Sequence, residues 1–145
     1  MPTDSAPDRS TVDADVVDVD HVSLRVSDLD HALEFYHDLL GLPIRDRDRF
    51  ENDEVPYVAV AAGGRHLHLV PSDDPLDVGG EHVCLLVRSS TTDSEADLRD
   101  LLNGLRAAGV EVEADEPRKR YGAYGRDWAA YVRDPDGRRV ELKVH

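Results

Sequence analysis

The order of elements along this chain repeats once, and that repeat constrains the fold more than any other feature. "VVDVDHVSLRV" alternates, with Val22, Leu24 and Val26 on one face and His21, Ser23 and Arg25 on the other. "SDLDHALEFYHDLLGL" follows as a helix: Ser27 or Asp28 caps it, Leu29, Ala32, Leu33, Tyr36, Leu39 and Leu40 form its stripe, and Gly41 stops it. Short strands are expected near "PIRDRDRF", at "VPYVAVAA" and, past a Gly63-Gly64 turn, at "RHLHLV". The order then restarts. "EHVCLLV" sets Val83, Leu85 and Val87 against His82, Cys84 and Leu86. "TTDSEADLRDLLNGLRAAGV" is a helix with Thr92 or Asp93 as cap, Leu98, Leu101, Leu102 and Leu105 as stripe and Gly109 as stop. A short strand at "VEVEA", a long loop "DEPRKRYGAYGRD", a strand "WAAYVR", a "DPDG" turn and a closing strand "RRVELKVH" complete the second unit. This is a tandem βαβββ repeat of an α+β protein, roughly 55 to 65 residues per copy. The expected division is module 1 over about 16–72 and module 2 over about 79–145, in one domain over 16–145.

The repeat also places the chemistry. His21 lies in the first strand of unit one and His68 in its last; His82 lies in the first strand of unit two and Glu141 in its last. Two units related by a pseudo-twofold would bring these four positions together, and all four are of side-chain types that ligate metals. A single strand histidine has an ordinary explanation as a hydrogen-bonded or half-exposed residue. The joint pattern favours a metal cup, because a carboxylate on a concave sheet face loses water and needs a cation or donor there. His66 points the same way as His68 and is either a rim residue or a partner of the ligand, whereas His31 and His37 sit on a solvated helix face.

Composition excludes several classes of function. With 31 acids against 17 bases, and a net charge of −14, the chain repels nucleic acid and anionic lipid. Only Lys119 and Lys143 are lysines, a balance that resembles proteins of high-salt cytoplasm, where screening shortens the Debye length to about 3 Å. No stretch approaches the roughly 18 apolar residues of a membrane span, so a cytoplasmic protein is expected. Cys84 is the lone cysteine, which precludes an intrachain disulfide. Residues 1–15, rich in Asp, Pro, Ser and Thr, are expected to form a disordered acidic arm.

One stretch runs against the charge of the whole. Arg118, Lys119, Arg120 and Arg126 fall within "RKRYGAYGR", a positive spot suited to an anionic substrate or, equally, to pairing with nearby acids. Tyr131 lies ten residues before Glu141 and faces the same side across a tight turn; Ser23 shares the face of His21 and can hydrogen-bond a substrate oxygen.

"DHVSLRVSDLDHALEFYHDLLGLPI" and "YVRDPDGRRVELKV" resemble the opening and closing signatures of the vicinal oxygen chelate superfamily, which includes glyoxalases, bleomycin resistance proteins and extradiol dioxygenases. The resemblance implies two βαβββ modules curled into a mixed-sheet cup around one divalent metal ion, with iron, manganese, nickel or zinc as candidates. It implies His21, His82 and Glu141 as shared ligands, with His68 at the fourth, variable position. It implies glyoxalase-like lyase or isomerase chemistry on a small oxygen-chelating substrate, Glu141 as the proton-moving base, Tyr131 in contact with the bound oxygen, and a homodimer; Arg118, Lys119 and Arg120 are then the candidates for an anionic part of that substrate. The alternatives are an extradiol-type dioxygenase, although a bound His68 would fill a position that oxygen chemistry needs, and a metal-free small-molecule binding protein.

Overall fold

The computed structural model describes residues 11–113 and 116–145. The first ten residues of the expected arm lie outside the described residues, and 11–20 run exposed, without helix or strand, into β1 (His21–Val26). A helical segment follows, α1 (Leu29–Leu33), then β2 (Ile44–Arg45), α2 (Arg47–Glu51), β3 (Val58–Ala62) and β4 (Arg65–Pro71). The second unit comprises β5 (His82–Val87), α3 (Ser94–Ala107), β6 (Arg118–Gly122), β7 (Gly125–Arg133) and β8 (Arg139–Val144).

The strands form two open four-stranded mixed sheets, ordered β1-β4-β3-β2 and β5-β8-β7-β6. In each, the first strand of the unit runs parallel to the last, and the other pairs are antiparallel. The identical order confirms the repeat. It sets the strand of His21 beside that of His68 and the strand of His82 beside that of Glu141, and it leaves β1 and β5 at sheet edges.

Asp28 caps α1 by accepting from the His31 amide at 3.0 Å, and Asp93 caps α3 by accepting from the Ala96 amide at 3.1 Å. Beyond α1 the helix widens into π turns over Glu34–Leu39, closed by the Leu40 amide on the Phe35 carbonyl at 3.1 Å. This widening brings Phe35 and Tyr36 inward together, and both are buried. One apolar core joins the units, with Val26, Tyr36, Val60 and Leu69 from the first and Leu98, Leu102, Val132 and Leu142 from the second. Each fully buried leucine contributes about 1.5–3 kcal/mol.

Three local expectations give way. The segment "PIRDRDRF" pairs only at Ile44–Arg45, because Asp46 turns left-handed (φ 62°) and Arg47–Glu51 winds into α2. "VEVEA" contributes an isolated bridge, Val112 to Val132, rather than a strand among the described residues. The expected long loop instead becomes β6 and a hairpin turn into β7, and β6 extends the same edge of β7 that Val112 touches. An edge strand exposed on both faces lacks the apolar alternation that marks a strand in sequence. Cation–aromatic contacts serve β6 instead: Lys119 lies 5.3 Å from the Trp128 ring centre, and Arg120 lies 4.9 Å from that of Tyr131.

The "DPDG" turn fastens the two units. Asp134, buried, accepts from Tyr36 Oη of the first unit and from Arg138 Nη1, each at 2.7 Å. Arg138 reaches the Arg25 carbonyl on β1, and the Asp136 carboxylate accepts from the amide and hydroxyl of Ser27.

Candidate active site

On the first sheet, parallel pairing sets His21 beside His66 and Ser23 beside His68, all facing one side. His68, 8% exposed, is held between two rings: His21 stacks at 4.0 Å with a 14° interplanar angle, and Tyr57 at 3.8 Å with 6°. Burial pushes the His68 pKa below the ordinary imidazole value, and the neighbouring His21 and His66 add to the effect. The result is a neutral ring with a free lone pair, the form in which histidine binds metal. His21 Nδ1 meets Asp20 Oδ1 at 2.7 Å, which orients that imidazole with its other nitrogen available. His66 lies further off, 6.2 Å from His68 and tilted by 53°.

On the second sheet, Cys84, Glu141 and Tyr131 occupy one row across β5, β8 and β7. Glu141 is 6% exposed, and its Oε1 lies 3.1 Å from Nε2 of His82. Tyr131 stands edge-on to the His82 ring at 5.4 Å, and the guanidinium carbons of Arg139 and Arg120 lie 4.5 Å and 4.9 Å from its centre. Burial and the adjacent Glu141 carboxylate raise the Tyr131 pKa, so the phenol remains a proton donor at neutral pH. Burial and Glu141 also push the Cys84 thiol up to about 11. That places it far from the range of a nucleophilic cysteine.

The four expected ligands therefore come as two pairs, His21 with His68 and His82 with Glu141, one on each sheet. Among the described residues, no three His, Cys, Asp or Glu side chains converge to hold a metal ion. A cleft of about 310 Å³ between β1 and β5 is lined by Ser23, Arg25, Asp77, Glu81, His82 and Arg138, so Ser23 and His82 share a cavity.

Strand alternation divides the basic cluster. Arg118 and Arg120 share the face of Tyr131 and Glu141, whereas Lys119 lies on the opposite face over Trp128. Sequence reasoning singled out neither Tyr57 nor Arg139 for the site, since both owe their place to contacts across strands. Alternation along β8 already put Lys143 on the face of Glu141, but sequence reasoning gave it no role in the site.

The family model of the Glyoxalase/Bleomycin resistance protein/Dioxygenase superfamily matches residues 18–142, which takes in both sheets and all four candidate ligands. The chain belongs to this superfamily. A probable lactoylglutathione lyase of Synechocystis is 30% identical over 132 residues, covering 84% of this chain and 91% of that protein. A virulence protein of Salmonella typhimurium is 23% identical over 131 residues, covering 88% of this chain and 83% of its own length. Among solved structures, an integron cassette protein from V. cholerae superposes with a TM-score of 0.70 at 24% identity, covering 91% of this chain and 98% of that one. The lactoylglutathione lyase of Agrobacterium tumefaciens gives 0.59 at 23%, covering 88% and 92%. These structural likenesses place this superfamily member's fold and leave its chemistry to the site.

Proposed function

We propose that this superfamily member is a divalent-metal-dependent enzyme with glyoxalase-like lyase or isomerase chemistry on a small, anionic, oxygen-chelating substrate. The observation that carries this reading is the buried Glu141 carboxylate held by His82, on the same face as a protonated Tyr131. The donor set fits a divalent transition ion: three imidazoles and one carboxylate, with His68 neutral and His21 backed by Asp20. A metal held by His21, His68, His82 and Glu141 supplies Lewis-acid polarisation of a substrate oxygen. Because the donors lie as pairs on two sheets whose edge strands are open, the site is completed in a homodimer, one pair from each chain.

The chain's own residues do the rest. Glu141 moves the proton next to the polarised oxygen, as the one carboxylate of the set. Tyr131 donates a hydrogen bond to the oxygen on which charge develops, with Arg120 and Arg139 holding its ring in place. Ser23 orients the substrate from the facing strand. The name of the cyanobacterial relative, a probable lactoylglutathione lyase, favours the lyase reading over ring cleavage. A metal-free binding protein is the second reading, favoured by a cavity of about 600 Å³ whose lining includes Val22, Leu42, Leu67, Val83 and Leu85.

The test is metal content by inductively coupled plasma mass spectrometry. The reading expects bound iron, manganese, nickel or zinc in the native protein and none in a His21→Ala/His68→Ala or a His82→Ala/Glu141→Ala variant. Co-expressing the two variants restores one intact site per mixed dimer. Native protein that takes up none of these ions overturns the enzyme reading in favour of the binding protein, and failure of the mixed dimer to bind metal overturns the shared site.

A further inference from the structure

Lys143, one of only two lysines in the chain, is 5% exposed and lies two residues beyond Glu141 on the same face of β8. No hydrogen bond or ion pair joins it to any described residue. Its aliphatic stem is buried along the sheet, which leaves the ammonium as the end of the side chain available to a ligand. Its row across the sheet runs Leu86, Lys143, Ala129, Arg118, and the small Ala129 leaves room for the stem to cross β7 toward β6. There it meets Gly122, where a Cβ would come within 2.8 Å of Lys143 Cε. A side chain at position 122 would therefore displace the end of the lysine from its present path.

Arg120 lies two residues before Gly122 on the same face of β6, and its Nε is buried without a hydrogen-bond partner. Of the other cations of this face, Arg139 and Arg133 both pair with Glu113, and Arg118 is exposed at the start of β6. Lys143, with no bonded partner among the described residues, and Arg120, with a buried unpaired Nε beside its contact on Tyr131, therefore share one face of the sheet, Lys143 roughly 7 Å along β8 from Glu141.

We infer that Lys143 and Arg120 bind an oxyanion group of the substrate, a carboxylate or a phosphate, at a position distinct from the oxygens near Glu141. The inference rests on the proposed use of this face for substrate and names the class: a small molecule with a chelating end and an anionic end. The Arg120 fork supplies planar donors, and the Lys143 ammonium supplies the point charge. Lys119, the other lysine, takes no part, because it lies on the far side of the sheet over Trp128.

The test uses metal-stripped protein at the lowest salt at which it stays folded, titrated separately with inorganic phosphate and with succinate and followed by backbone amide NMR. Saturable shifts in β6 and β8 with either probe, weakened at least tenfold in Lys143→Met and Arg120→Gln and unchanged in Lys119→Met, are the expected result; the stronger probe identifies the group. Gly122→Ala keeps every charge but displaces the Lys143 stem, and it is expected to weaken binding by a similar factor, which covers a Lys143 variant that fails to fold. Shifts that never saturate with either probe, or binding that persists in the Lys143, Arg120 and Gly122 variants, overturn the inference. Because the protein is stripped of metal, a negative result here leaves the metal-content test standing, and a failed metal test leaves this one readable.

Discussion

Tyr36 Oη donates to Asp134 Oδ2 at 2.7 Å across 98 positions of sequence, joining the first helical segment to the turn before the last strand. With Arg138 on the same carboxylate, this contact ties the two sheets together inside the core. Tyr36→Phe is expected to cost about 1–2 kcal/mol, since Asp134 keeps its other partners. Arg138→Gln leaves a buried carboxylate short of its charge partner and is expected to cost about 3–5 kcal/mol. Urea unfolding of the two variants checks the order; equal midpoints for Tyr36→Phe and the parent would remove the clasp from the stability argument.

Asp97 supplies a pH dependence. Its carboxylate accepts from Ser89 Oγ at 2.5 Å and from the Thr91 amide at 2.8 Å, and these bonds, the Ser89 hydroxyl foremost, hold its pKa below the usual value. A carboxylate with a depressed folded pKa stabilises the protein above its unfolded pKa, and the contribution is lost as pH falls through the folded value. Asp97→Asn should therefore lower the unfolding midpoint at pH 7, by a difference that shrinks below about pH 3.9. A difference that stays constant with pH would show that the charge has no role.

Cys84 should be slow to react despite its exposed position. With the thiol pushed up to about 11 from a usual 9.0, the thiolate fraction at pH 8 is about a hundredfold smaller than for a free thiol. Alkylation by iodoacetamide in metal-free protein should climb about tenfold per pH unit toward that value, and Glu141→Gln should speed it by removing the neighbouring charge. A rate equal to that of the unfolded chain would contradict the burial argument.

Metal should stabilise the fold. An ion bound by the folded protein and not by the unfolded chain adds about 2.7 kcal/mol at a hundredfold excess over its Kd. Differential scanning calorimetry of stripped protein with added zinc or nickel should show a concentration-dependent rise, absent in His82→Ala. A rise of equal size in that variant would place the ion elsewhere.

The sequence by itself determined the βαβββ repeat, the two capped helices and the face on which each candidate ligand lies. These properties follow from period and local chemistry: alternation along β1, β5 and β8 assigns His21, His82 and Glu141 to one side of their sheets whatever surrounds them. It also held the signature segments by which the superfamily is recognised. Only the tertiary structure decided what depends on neighbours distant in sequence. The basic stretch became strand β6 because it had the open edge of β7 to pair with, a partner that no local pattern reveals. Lys143 became buried because Gly122 and Ala129 stand across two strands from it. The His68 pKa is lowered by burial, with Tyr57 and His21 closing over both its faces, and the four candidate ligands lie as two pairs because each sheet pairs within its own unit. Periodicity assigns a side chain to a face, whereas burial, charge state and convergence are properties of what packs against that face.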